Sequence, residues 1–222
     1  MRNEDLKGNL LKLFSRSAGK PGEDYLIEKI GESLLTIQEM SEKGKCEVSF
    51  KNGHFTQLSE KMLGTNKFIG FFNRQEGDIM RKICDGIFLV LLKNRVILCL
   101  VELKRNINNN FERAVKQIEG SYLKAAMLLS LLCDIRDIEL AVFIAGHLGK
   151  IIDDPDIDYL KREADFMERD NLESKLKEFS HNRKVRMNFP FFLEQTIHEN
   201  YKKKNIRVYH LEHGDTFDMK SF

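Results

Sequence analysis

The stretch that most constrains this chain runs from Ile83 to Lys104, ICDGIFLVLLKNRVILCLVELK. Ile83 to Leu92 and Arg95 to Leu103 are apolar runs of strand length, rich in Ile, Leu, Val and Phe. Lys93-Asn94 separates them, so they read as a hairpin with a short polar turn. Pairing Leu92 with Arg95 places Asp85 directly opposite Glu102. Facing residues of an antiparallel pair point to one side with Cβ atoms roughly 5 Å apart. Lys104, two residues past Glu102, points to that side as well, and Leu103 to the other. Two carboxylates and an ammonium therefore share one face of an otherwise apolar hairpin.

Like charges facing each other across strands are destabilising, and buried charges need partners. Lys104 neutralises one carboxylate, and a divalent cation satisfies both. Carboxylate oxygens with open water positions suit Mg²⁺, and Mn²⁺ accepts the same donors. A metal so held polarises a phosphoryl oxygen and generates hydroxide from water, with the lysine positioning that water. The competing reading is a salt-bridged strand end at a sheet edge.

Asp85 followed by Glu102-Leu103-Lys104 after a hydrophobic strand resembles the PD-(D/E)XK nuclease superfamily, the restriction-endonuclease-like fold. The resemblance implies metal binding by Asp85, Glu102 and the Leu103 backbone carbonyl, with Lys104 serving the attacking water. The proline that precedes the family's aspartate is replaced by Cys84. It also implies an α/β fold with a central mixed β-sheet flanked by helices in the order αβββαβ. Many members carry a first-helix glutamate that points into the active site. GEDYLIEKIGESLL is similar to that pattern, with Glu28 the best positional match and Glu23 and Glu32 as alternatives.

A chain of 222 residues fits one domain, 1–222, with a core at about 23–145 and an extension at about 150–222. A net charge of +2 announces no nucleic-acid partner, so any basic footprint is local. Cys46, Cys84, Cys99 and Cys133 are widely spaced without a C-x-x-C, which reads as free thiols in a reducing, cytoplasmic compartment. The N-terminus lacks the long apolar core of a signal peptide, and no run is long enough to cross a membrane.

Leu6, Leu10, Leu11 and Phe14 have helical spacing, as do Leu26, Ile27, Ile30, Leu34 and Ile37. The second set predicts a helix over about 23–42. Cys46 to Phe50 and His54 to Leu58 flank Lys51-Asn52-Gly53, a strong hairpin signal. Phe68, Phe71 and Phe72 read as core residues before base-stacking ones. Arg74, Arg81 and Lys82 precede Asp85 as phosphate contacts or plain exposed charge.

After Lys104 and Arg105, an asparagine among residues 108–110 caps the next element. Phe111, Val115, Ile118, Tyr122, Ala125, Leu129 and Leu132 predict a helix over 111–132. The RecB-like members of the resembled superfamily carry Gln-x-x-x-Tyr in this helix. Gln117 matches it as a catalytic candidate, but Tyr122 is one residue too far and reads as core. Arg113, Lys116 and Lys124 give the helix a basic side suited to a phosphate backbone. Asp137 to Ala145 reads as a buried strand, reached by a parallel crossover.

Asp153 to Asp158 fails as a calcium loop for want of the glycine and closing glutamate, and reads as the start of a charged helix over about 157–179. HNRKVR, with Arg183 and Lys184, is a basic run available to phosphates. Ile206 to Leu211 reads as a last strand at the sheet edge. His147 reads as a loop residue, and His210 and His213 lack the spaced ligands of a zinc site.

What the resemblance implies is a Mg²⁺- or Mn²⁺-dependent endonuclease acting on nucleic acid, with DNA the commoner substrate in the superfamily. Its members include anti-phage and repair nucleases. A homodimer would suit double-strand cleavage. The alternative is a protein- or nucleic-acid-binding module that keeps the fold without the chemistry.

Overall fold

The computed structural model describes residues 27–41, 44–59, 63, 79–92, 95–107, 110–147, 184–189 and 203–221. The expected helices at 5–14 and 157–179, the aromatic residues 68, 71 and 72, and Arg74 and Arg183 lie outside these residues.

The described elements are β1 (Ile27–Ser41), β2 (Gly44–Leu58), β3 (Gly86–Leu92), β4 (Arg95–Asn106), α1 (Phe111–Leu129), β5 (Glu139–His147), β6 (Lys184–Phe189), β7 (Lys203–Leu211) and β8 (Thr216–Asp218). They form an α/β unit around one mixed sheet of order β1-β2-β3-β4-β5-β7-β6, with β8 beside β2. β3 and β4 pair antiparallel with Leu92 opposite Arg95 and Gly86 opposite Val101, the register expected from the sequence. α1 carries the chain from β4 to β5, which pairs parallel to β4.

β3 and β5 are buried along almost their whole length because both sheet faces are covered. On one face Ile87, Leu89, Leu98 and Leu100 meet Ile118, Tyr122, Ala125 and Leu129 of α1. Each Leu or Ile among them contributes about 1.5–3 kcal/mol on burial. On the other, Phe88, Val101 and Phe143 meet Leu35, Ile37, Val48 and Phe50. Phe50 is the hub there, with ring centroids 5.0 Å from Phe88 and 4.9 Å from Phe143.

Three expectations are corrected. Residues 27–41 form strand β1, not the second part of a helix over 23–42, so the first helix of the αβββαβ order is absent there. The ladder to β2 overrides the helical spacing: Leu35 and Ile37 face the core while Leu34 is 54% exposed, a period of two. Asn52-Gly53 does not reverse the chain either. Asn52 takes a φ of 62°, and β2 runs through it as one bent strand. Its second half, 54–58, pairs with β3, while 49–51 leave to pair parallel with β8. That bend lays the β1–β2 hairpin over the second face of the sheet. Finally, β7 is not an edge strand: it lies between β5 and β6, parallel to β5 and antiparallel to β6.

Candidate functional site

The charged group lies where β4 and β5 end, beside the start of β3. Glu102 continues the alternation of Leu98 and Leu100, so it takes the α1 side of the sheet. It is fully buried. Its Oε1 accepts from the Lys104 ammonium, and its Oε2 has no hydrogen-bond partner among the described residues. Lys104 Nζ also donates to the Leu103 carbonyl at 3.2 Å. Asp85 lies one residue ahead of β3 and is half-buried. Its Oδ2 accepts from the Leu103 backbone N–H at 2.7 Å. Asp85 is thus bonded to the segment that carries Glu102 and Lys104, while the Leu103 side chain packs in the opposite core.

A backbone irregularity fixes the lysine. The β4–β5 ladder shifts register between Leu103 and Asn106, which places a bulge at Lys104 and Arg105. Bulges re-aim side chains at the ends of ladders. Gly146 of β5, at φ +148°, backs onto it closely: a Cβ there would lie 1.6 Å from the Lys104 carbonyl oxygen. The buried His210 donates from Nε2 to the Gly146 carbonyl at 2.9 Å and holds this corner from β7.

Electrostatics follow from burial and neighbours. Burial pushes the Asp85 carboxyl above its ordinary value, the Leu103 N–H and the Lys104 charge oppose this, and Glu39 adds to the rise. Burial likewise lowers Lys104, against the pull of Asp85 and Glu39 and with a push from Arg113. Glu39 of β1 is a member of the site that the sequence reading missed. It follows Ile37, which covers Gly86 at the start of β3, so the bent hairpin brings its charge to Asp85. No local pattern marks it. Glu28 lies in β1 at a register shift between Ile27 and Lys29, on a strand where a helix was expected.

α1 contributes a polar stripe. Gln117 Nε2 donates to the Ile83 carbonyl at 2.9 Å, Ser121 Oγ accepts from the Cys84 N–H at 2.7 Å, and Lys124 Nζ donates to the Lys82 carbonyl at 2.7 Å. Lys124 is fully buried, which corrects its expected place on a phosphate-facing side: the chain from 82 to 84 covers it. Arg113 and Arg105 are exposed, and Lys116 pairs with Glu112 one turn away. Lys184 belongs to β6, at the far edge of the sheet from β1. Tyr122 is core, as expected. His147 is exposed, and His213 accepts from the Glu47 N–H. All four cysteines are free.

Among the described residues no three His, Cys, Asp or Glu side chains gather as a metal-holding group. The available donors are Asp85, Glu102 and the Leu103 carbonyl, an all-oxygen set with a bare buried Oε2. Hard divalent cations that keep several waters take such sets. The residues therefore fit Mg²⁺ better than zinc, which prefers nitrogen and sulfur. Comparison with protein-family models, curated proteins and solved structures gives no match. No helix among the described residues is long and apolar enough to cross a membrane.

Proposed function

We propose that this chain is a metal-dependent nuclease of the PD-(D/E)XK kind, hydrolysing phosphodiester bonds of nucleic acid, with DNA as the substrate. The observation that carries the reading is Glu102. Its charge is paired with Lys104, but leaving its second oxygen buried without a hydrogen bond costs about 1–3 kcal/mol. Glu119 also buries an Oε2 without a hydrogen bond among the described residues, but Glu102 differs in having the Asp85 carboxylate on the N–H of the next residue, so a cation there would meet two acidic groups. Asp85 and Glu102 would hold the cation with help from the Leu103 carbonyl, and Lys104 would orient the attacking water and neutralise developing charge. A Mg²⁺ or Mn²⁺ ion bound there supplies Lewis acidity and lowers the pKa of a coordinated water. The position supports the reading too. Ligands of open α/β sheets bind beyond the carboxyl ends of strands, where β4 and β5 end here. Arg113 and Arg105 stand exposed to meet phosphates.

A second reading, a binding module with a nuclease-like site and no chemistry, draws on the Lys104–Glu102 ion pair. That contact already neutralises one oxygen that a cation needs. Incubation with supercoiled, linear and single-stranded DNA and with RNA, in Mg²⁺ or Mn²⁺, separates the two. Metal-dependent cleavage that Lys104→Ala and Asp85→Ala abolish supports the nuclease. Absence of cleavage on every substrate favours the binding module.

A further inference from the structure

We propose that Ser121 of α1, with Gln117 one turn before it, is a positioning residue that sets where Asp85 stands. The inference rests on the metal-site reading of Asp85. Asp85 itself belongs to no ladder: β3 begins at Gly86, which pairs with Val101, so strand pairing fixes the residue after it and none of those before it. Those are placed by the helix. Residues Gln117, Ser121 and Lys124 occupy one face of α1 at i, i+4 and i+7. They take the Ile83 carbonyl, the Cys84 N–H and the Lys82 carbonyl in turn. Three successive residues before Asp85 are thereby fixed to one rigid element.

Ser121 is the central tie. Its buried hydroxyl accepts from Cys84, the residue next to Asp85, and donates to the Gln117 carbonyl at 2.8 Å. Both roles of the hydroxyl are used, so its rotor is locked. Gly120 lets the segment approach: a Cβ there would lie 2.3 Å from the Ile79 carbonyl and 2.6 Å from the Lys82 carbonyl. From the other side, Leu103 N–H holds the Asp85 carboxylate. Asp85 is thus suspended between α1, which ties the three residues before it, and the β3–β4 ladder, which begins at the residue after it. Groups that orient a metal ligand without touching the metal are worth about 10–100-fold in metal affinity.

The test is thermal stabilisation of the purified chain by Mg²⁺ alone, read as the binding midpoint (the apparent Kd) obtained by fitting the rise of Tm with Mg²⁺ concentration to ligand linkage. Wild type, Asp85→Ala, Ser121→Ala, Ser121→Thr and Leu129→Ala are compared. Leu129 is a buried packing residue at the far end of the same helix. The expected result is a wild-type response lost in Asp85→Ala, with the Ser121→Ala midpoint raised about 10–100-fold. Ser121→Thr keeps the wild-type midpoint even where its added methyl lowers Tm. Leu129→Ala lowers Tm and leaves the midpoint alone. An unchanged midpoint in Ser121→Ala overturns the positioning role while the metal site stands. No Mg²⁺ response in the wild type overturns the metal site itself, and the inference with it. Should Ser121→Ala fail to fold, Gln117→Met, which removes the tie to Ile83, is read in the same way.

Discussion

Gly146 stands so close behind Lys104 that a Cβ on it would fall 1.6 Å from the lysine's carbonyl oxygen. The contact joins the end of β5 to the bulge that aims the Lys104 side chain. Gly146→Ala meets two penalties at once. Its φ of +148° is one that side-chain-bearing residues rarely adopt, and the backbone behind it cannot yield without moving the bulge. Strain of about 1–3 kcal/mol and overpacking of about 1–3 kcal/mol add. A fall in Tm of roughly 10 °C is expected. Cleavage should fall further than the loss of folded protein accounts for, because Lys104 is displaced. Thermal melts alongside activity per folded molecule check this.

Asp85 is held at a cost to stability. Its folded-state pKa is raised above the ordinary 3.8, chiefly by burial, so the protonated form is favoured in the folded chain. As pH rises through that raised value, the folded state loses stability relative to the unfolded state. Asp85→Asn keeps an oxygen for the Leu103 N–H and removes the charge. Without metal, the variant should melt above the wild type at pH 7. The difference should shrink as pH falls below the carboxylate range, where the wild type is protonated in both states. Melts across pH in chelator test it, and a wild type more stable than the variant at pH 7 contradicts the burial argument.

Two basic residues of α1 should behave in opposite ways. Lys124→Ala empties buried space and strips the Lys82 carbonyl of its donor, at about 2–4 kcal/mol of stability. It should leave the salt dependence of DNA binding as it was. Arg113→Ala, on the exposed first turn, should leave Tm nearly unchanged. It should weaken binding to all sequences alike and reduce the log-affinity against log-salt slope by about 1. Binding isotherms at several salt concentrations distinguish the two.

The β3–β4 register was legible because two apolar runs meet at a two-residue connection, and alternation then carries Asp85 and Glu102 to the same segment. α1 was legible because Phe111, Val115, Ile118, Tyr122, Ala125 and Leu129 keep one face, though the helix ends at Leu129 and not at the expected 132. β1 was not, because Leu26, Ile27, Ile30, Leu34 and Ile37 satisfy helical spacing while, among its described side chains, the strand period rests on Leu35 and Ile37. Pairing with β2, a long-range fact, decided it. Lys124 looked like surface because charge was read without its neighbours. Gly120-Ser121 in mid-helix was the available signal of a close backbone approach. Glu39 carried no signal, since only the bend in β2 brings it to the site.

That bend is itself testable at Asn52. Asn-Gly reads as a hairpin turn; Asn52 does take a positive φ, but the ladder to β1 continues past it, so it bends a strand instead of closing a hairpin. Asn tolerates φ 62° better than other side chains, whereas alanine there loses about 1–2 kcal/mol. The Asn52 amide also donates to Asp218 Oδ2 at 2.9 Å, an exposed bond of small worth that ties the bend to β8. Asn52→Gly keeps the conformation and loses only that bond and some chain entropy. Asn52→Ala should therefore melt below Asn52→Gly, by roughly 2–4 °C per kcal/mol for a chain of this size. Equal melting of the two variants would mean that backbone conformation at residue 52 does not limit the fold. It would also remove the reason for the hairpin to lie over the second face, where it brings Glu39 to Asp85.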